Sequence, residues 1–151
     1  GVVLPLLLKI IEHKPKSVTL VNRSENKARK LRETAFERTG FKVGERLEKE
    51  RYGLVVNTTS AGMAPQLDAL PIDEVEGIEN LDFIDCDTFV TDLIYNPAET
   101  KFLKEAKMRG AKILNGLDML INQATLAYEI FMDKKLNDDM GERIKKEVFG
   151  R

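Results

Sequence analysis

Residues 17–38 read SVTLVNRSENKARKLRETAFER, and this stretch decides the fold. Ser17 to Val21 is a short β-branched run between polar neighbours, the composition of a strand. Glu25 to Arg38 carries good helix formers, with Ala28, Leu31, Ala35 and Phe36 expected inward. A strand feeding straight into a helix is half of a βαβ unit. The junction, Asn22-Arg23-Ser24 with Lys27 one turn on, offers an amide, a guanidinium, a hydroxyl and an ammonium beside the unpaired N–H groups of a helix start. In a dinucleotide-binding fold this corner meets the adenosine ribose, where an acidic group selects NAD and a nearby Arg accommodates the extra phosphate of NADP. The residues equally suit a plainer reading, with Ser24 as an N-cap and Arg23 and Lys27 as solvated surface charges.

Outward from this stretch, the alternation continues. Val2 to Ile11 has apolar residues at helical spacing with further leucines between them, the pattern of a helix buried on most of its circumference and ended by Lys14-Pro15. Phe41 to Val43 is a candidate short strand. Leu54-Val55-Val56 reads as a buried strand leaving through the polar turn Asn57 to Gly62. Pro65 to Asp87 is acid-rich and broken by Pro71 and Gly77, with one helical turn near Asp73 to Val75 and nothing else predicted. Phe89 to Ile94 is a strand, Glu99 to Met108 a helix closed by Gly110, Ala111 to Leu114 a strand, and Leu117 to Phe131 and Asp138 to Phe149 are helices. Alternating strands and helices predict a parallel sheet covered on both faces.

The chain has 151 residues, 42% of them hydrophobic, which suits one domain with one core. Lys and Arg number 24 against 25 Asp and Glu, a net charge of −1 that argues against nucleic acid as a partner. The apolar stretch at Val2 to Ile11 is shorter than the roughly 20 residues needed to cross a bilayer, so no membrane partner is expected. No targeting peptide is visible, and Cys86 alone builds no disulfide framework, which points to a cytoplasmic setting. Cys86 and the single histidine, His13, also cannot supply a Cys/His metal cluster or a Ser-His-Asp triad. No G-x-G-x-x-G occurs: Gly1 opens the sequence, and both the phosphate-cradling turn and the strand before it are expected to be missing from these residues.

Three strand exits complete the set of candidate residues, because open α/β sheets bind ligands beyond the carboxyl ends of their strands. They are Asn57-Thr58-Thr59-Ser60-Ala61-Gly62-Met63, Asp92-Leu93-Ile94-Tyr95-Asn96-Pro97 with Glu99 and Thr100, and Asn115-Gly116-Leu117-Asp118-Met119-Leu120 leading to Gln123. Singly, each also fits an ordinary turn or core packing. In this order, with Asn22 to Lys27, they resemble the shikimate dehydrogenase family. Asn22 to Lys27 is similar to that family's N-R-T-x-x-R/K, Asn57 to Met63 to its N-A-T-S-x-G-M, Asp92 to Thr100 to its D-x-x-Y-x-P-x-x-T, and Gly116 to Gln123 to its G-x-x-M-L-x-x-Q. The resemblance runs from Gly1 to about Phe131.

The resemblance implies an α/β, Rossmann-like parallel sheet with helices on both faces, here lacking the first strand and Gly-rich turn. It implies a single NADP-binding domain over residues 1–151, whose C-terminal helices, residues 117–149, would pack toward a substrate domain not present in the sequence. NADP is the implied cofactor. Asn22, Arg23, Ser24 and Lys27 would hold the adenosine 2′-phosphate, with Arg23 also stacking on adenine. Thr58, Thr59 and Ser60 would line the cofactor channel, and Gly116 and Met119 would lie against the nicotinamide. Tyr95 and Gln123 would reach a bound shikimate. The family reversibly reduces 3-dehydroshikimate with NADPH, a step of aromatic amino acid biosynthesis, using a Lys and Asp pair from its amino-terminal domain. No catalytic residue is therefore expected in these 151 residues, which alone should be inactive. A quinate or quinate/shikimate dehydrogenase, another reductase with the same corner, and a non-catalytic nucleotide-binding module are the alternatives. Gly53 and Thr58 stand where the family often has Asp and Ala, and the acidic stretch from Pro71 to Asp87 is longer than usual. Exposed apolar faces left by the absent strand are expected to favour self-association of the domain.

Overall fold

The computed structural model describes residues 1–48 and 51–150. Helix α1 spans Val3–Glu12 and α2 spans Glu25–Thr39; after them come β1 (Leu54–Asn57), β2 (Phe89–Asp92), α3 (Lys101–Met108), β3 (Lys112–Leu114), α4 (Leu117–Met132) and α5 (Met140–Phe149). The strands form one parallel sheet in the order β1-β2-β3. Parallel pairing follows from the chain itself, since each strand returns through a long connection rather than a hairpin.

Several helix ends have a visible cause. Lys14 adopts a left-handed conformation (φ 53°) just before Pro15 and ends α1. Gly40, at φ 71°, closes α2 by donating its N–H to the Phe36 carbonyl. The Thr100 hydroxyl caps α3 by accepting the Leu103 N–H. Lys145 of α5 pairs with Asp118 at the start of α4 at 2.6 Å, joining the last two helices. That carboxylate raises the Lys145 pKa.

The apolar residues divide into two clusters. One lies on the sheet, where Val90 of β2 meets Phe102, Leu103 and Ala106 of α3, with Ile72, Leu81 and Ile84 closing it. Those last three come from the acid-rich stretch between β1 and β2, which the sequence left almost without predicted elements. The stretch forms successive tight turns, such as Asp73 N–H to Leu70 and Val75 N–H to Ile72, and contains no helix. The second cluster is Leu7 and Ile11 of α1 against Ala35 of α2 and Val43, flanked by Leu8, Val18, Leu20 and Phe41.

Several expectations are corrected by this architecture. Ser17 to Val21 and Phe41 to Val43 are not strands: among the described residues their one ladder contact is an isolated parallel bridge, Thr19 to Gly44, with Leu20 N–H on the Gly44 carbonyl and Gly44 N–H on the Val18 carbonyl. The other side of the 17–21 segment faces a cavity of about 740 Å³ whose opposite wall is β1, so no neighbour completes a ladder there. Helix α1 is likewise less buried than its pattern implies, because Val3, Leu6 and Ile10 line the same cavity. In α2, Phe36 is exposed and Arg32 is buried in its place. Arg32 is satisfied there: it donates to the Leu20 carbonyl at 3.0 Å, pairs with Glu25, and lies 3.6 Å from Glu45. Among the described residues no helix is long and apolar enough to cross a membrane.

Candidate functional site

The carboxyl ends of the strands share one edge of the sheet: Asn57 is opposite Asp92, and Thr91 is opposite Leu114. Three loops leave from that edge, and all the sequence-predicted residues outside the α2 corner sit on them or on the first turns of α4.

In the first loop the buried Asn57 side chain acts as a hub. Its Oδ1 accepts the Thr59 N–H at 2.9 Å and the Thr59 hydroxyl at 2.8 Å, while its Nδ2 donates to the Ala61 carbonyl at 3.3 Å. Thr59 Oγ1 then accepts the Ala61 N–H. The loop is thus wound on one amide, which leaves Ser60 exposed and Thr58 and Thr59 on the wall of the cavity. Gly62 has φ 99°, and a Cβ there would meet Thr100 Cβ at 3.1 Å, so both its conformation and its surroundings require glycine.

In the second loop Asp92 is fully buried and accepts three bonds: from Asn57 Nδ2 at 3.1 Å, the Ile94 N–H at 3.0 Å and the Thr100 hydroxyl at 2.7 Å. Burial holds its pKa above the ordinary carboxylate value, a rise that the three donors only partly offset. Tyr95 is half exposed on the same loop.

The third loop is tied to the second. Asn115 Nδ2 donates to the Ala98 carbonyl at 2.8 Å, its Oδ1 accepts the Leu117 N–H, and the Gly116 N–H donates to the Ile94 carbonyl at 3.0 Å. Gly116 is buried, and a Cβ on it would fall 2.0 Å from the Leu93 carbonyl oxygen. Met119 and Gln123, one turn apart on α4, are exposed. No hydrogen bond among the described residues joins Tyr95 to Gln123.

At the α2 corner Asn22 Oδ1 accepts the Ser24 N–H at 2.8 Å, turning the chain into the helix. Ser24 occupies the N-cap position, yet its hydroxyl makes no capping bond, so it stays available together with the Glu25 and Asn26 N–H groups, while the Lys27 N–H is already donated to the Ser24 carbonyl at 3.0 Å. Lys27 is exposed and has no ion pair among the described residues. Arg23 does have one: it pairs with Glu74 at 2.6 Å, with both side chains largely in solvent, and that carboxylate raises the arginine's pKa. A hydroxyl, a guanidinium, an ammonium and free helix N–H groups form a donor set suited to a phosphate dianion.

Val21, which leads into the corner, lines the cavity with Thr58 and Thr59 of the first loop and with Pro71 and Ile72 from the turn that precedes Glu74, whereas Asn22, Arg23, Ser24 and Lys27 are not part of its wall. Glu74 was not a sequence candidate. It lies 51 positions from Arg23 and in no motif, and a run of acids gives no sign of which member meets the arginine. Asn57, Asp92 and Thr100 are not candidate ligand-binding residues by sequence, and the signal that marks them is the recurrence of amide, carboxylate and hydroxyl at and after successive strand ends.

No family model matches the chain. Among curated proteins it is 37% identical over 138 residues to the shikimate dehydrogenase (NADP(+)) of Caldanaerobacter subterraneus subsp. tengcongensis, covering 87% of this chain and 47% of that protein. Among solved structures it superposes with a TM-score of 0.71 and 32% identity on a shikimate dehydrogenase in complex with NADP+, covering 84% of this chain and 45% of that one. The Thermus thermophilus shikimate 5-dehydrogenase in complex with NADP(H) and shikimate gives a TM-score of 0.64 and 30% identity, covering 86% and 45%. The chain therefore spans about half the length of the curated relatives it matches.

Proposed function

The chain belongs to the shikimate dehydrogenase family, and from that premise we propose that it is the NADP-binding domain, residues 1–151, of an enzyme that interconverts 3-dehydroshikimate and shikimate in the cytoplasm. The observation that carries this is the α2 corner, where Arg23, the uncapped Ser24 hydroxyl and Lys27 lie at a helix start whose Glu25 and Asn26 N–H donors are free. Asn22 shapes that turn. These groups would hold the adenosine 2′-phosphate, the one feature that distinguishes NADP from NAD. Thr58, Thr59 and Ser60 would follow the cofactor along the first loop. Gly116 and Met119 would flank its nicotinamide, and Tyr95 and Gln123 would reach the ring acid. When bound, the cofactor supplies hydride exchange with the substrate carbonyl carbon, and the residues of this chain orient the two partners for it. The helices at 117–149 would then face the domain that carries the substrate.

The test is isothermal calorimetry with NADP+ and NAD+. Arg23→Ala and Lys27→Ala should each weaken NADP+ by about tenfold or more and leave NAD+ nearly unchanged, the loss expected for one charge-assisted phosphate contact. Glu74→Gln should tighten NADP+, because the guanidinium no longer has to exchange one anion for another. Equal losses for both cofactors would overturn the assignment.

A further inference from the structure

The carboxylate of Asp92 stands between the first and second loops, and it has no catalytic or binding assignment. Its three partners are all donors: an amide N–H from the end of β1, a backbone N–H from its own loop, and the hydroxyl that caps α3. An ionised carboxylate only accepts hydrogen bonds, on two oxygens. An asparagine of the same shape would turn its NH2 group toward the Thr100 hydroxyl, which could accept it only by giving up its own donation to position 92, so the observed pattern of three donated bonds needs the carboxylate. The Asn57 amide that reaches Asp92 also winds residues 59 and 61 around itself, and Thr100 packs against Gly62. On the other side, Asn115 and Gly116 bond the Ala98 and Ile94 carbonyls.

We propose that Asp92 is a positioning residue that locks the first loop (residues 57–62) to the second (residues 93–100), so that the two loops open and close as one unit. The lock follows from geometry alone. Its consequence for ligands rests on the function proposed above: with one loop on the cofactor and the other on the substrate, ordering either would order both, and binding would be positively coupled.

Amide hydrogen exchange followed by NMR on the 151-residue protein tests this. Asp92→Asn and Thr100→Val each remove one arm of the lock. Both should speed exchange about tenfold at Thr59 and Ala61 as well as at Ile94 and Leu103, the change expected for one lost buried bond. Amides in α2 and α5 should keep their rates. The response of Thr59 and Ala61 to Thr100→Val is decisive, because a hydroxyl that merely caps α3 would not reach them. Should Asp92→Asn fail to fold, Thr100→Val carries the same test. Acceleration confined to residues 93–103, or spread evenly over the molecule, overturns the lock. A saturating addition of NADP+ separates the two claims. Protection gained at residues 93–100 in the parent protein and lost in Thr100→Val supports the coupling. Absence of any NADP+ binding counts against the proposed function and leaves the unliganded exchange result standing.

Discussion

Gly116 shows how little freedom a single position can have. Its backbone angle (φ −78°) suits any residue, so conformation is not the constraint; the Leu93 carbonyl 2.0 Å from where a Cβ would sit is. Gly116→Ala should therefore cost about 2–3 kcal/mol, the range of overpacking against atoms that cannot step aside. A urea denaturation series would read this as a lower midpoint, and an unchanged midpoint would show that the 93–116 contact yields easily. At this scale the sequence was informative about which residues cluster and much less about why. The order of the motifs located Gly116, Tyr95 and Thr59, whereas the reason for glycine at 116 is a carbonyl 23 positions earlier, which no local pattern encodes. Arg32 is similar: an arginine amid a charged helix reads as surface, but its guanidinium is what holds the Leu20 carbonyl and Glu25 together.

Among the elements, α4 is the one whose environment is most unequal. Its first turns bury Leu117 and Ile121, but its second half presents Leu126, Ile130 and Phe131 to solvent, the last two 78% and 86% exposed. A helix end this apolar is a sticky surface whichever partner covers it. Replacing Ile130 and Phe131 by serine should change stability by no more than about 0.5 kcal/mol each, as for most surface positions. The same pair should lower the apparent mass of the protein in light scattering at high concentration. A parent protein that is monodisperse and monomeric would remove the self-association argument altogether. The helices were legible because periodicity and stop signals are local: the observed bounds of α2, α3 and α4 lie within two residues of those expected. Strands were harder. Ser17 to Val21 has the composition of a strand, but a strand exists only with paired neighbours, and its second edge opens on the cavity instead. Ile72, Leu81 and Ile84 follow no period at all, so their place in the core could not be foreseen.

At the scale of the whole molecule the 740 Å³ cavity separates the α1–α2 cluster from the cluster on the sheet. Among the described residues the α1–α2 pair makes no close backbone approach to the strands of the sheet. Stability that is held in two pools need not be lost at one temperature. In differential scanning calorimetry the van't Hoff enthalpy should fall below the calorimetric one, with the helix pair melting ahead of the sheet. Equal enthalpies would mean that the turns between residues 65 and 87 couple the clusters more tightly than their contacts imply. Cooperativity, on this view, depends on what bridges the space between the helices and the sheet, since only such a bridge gives the two a common fate on heating.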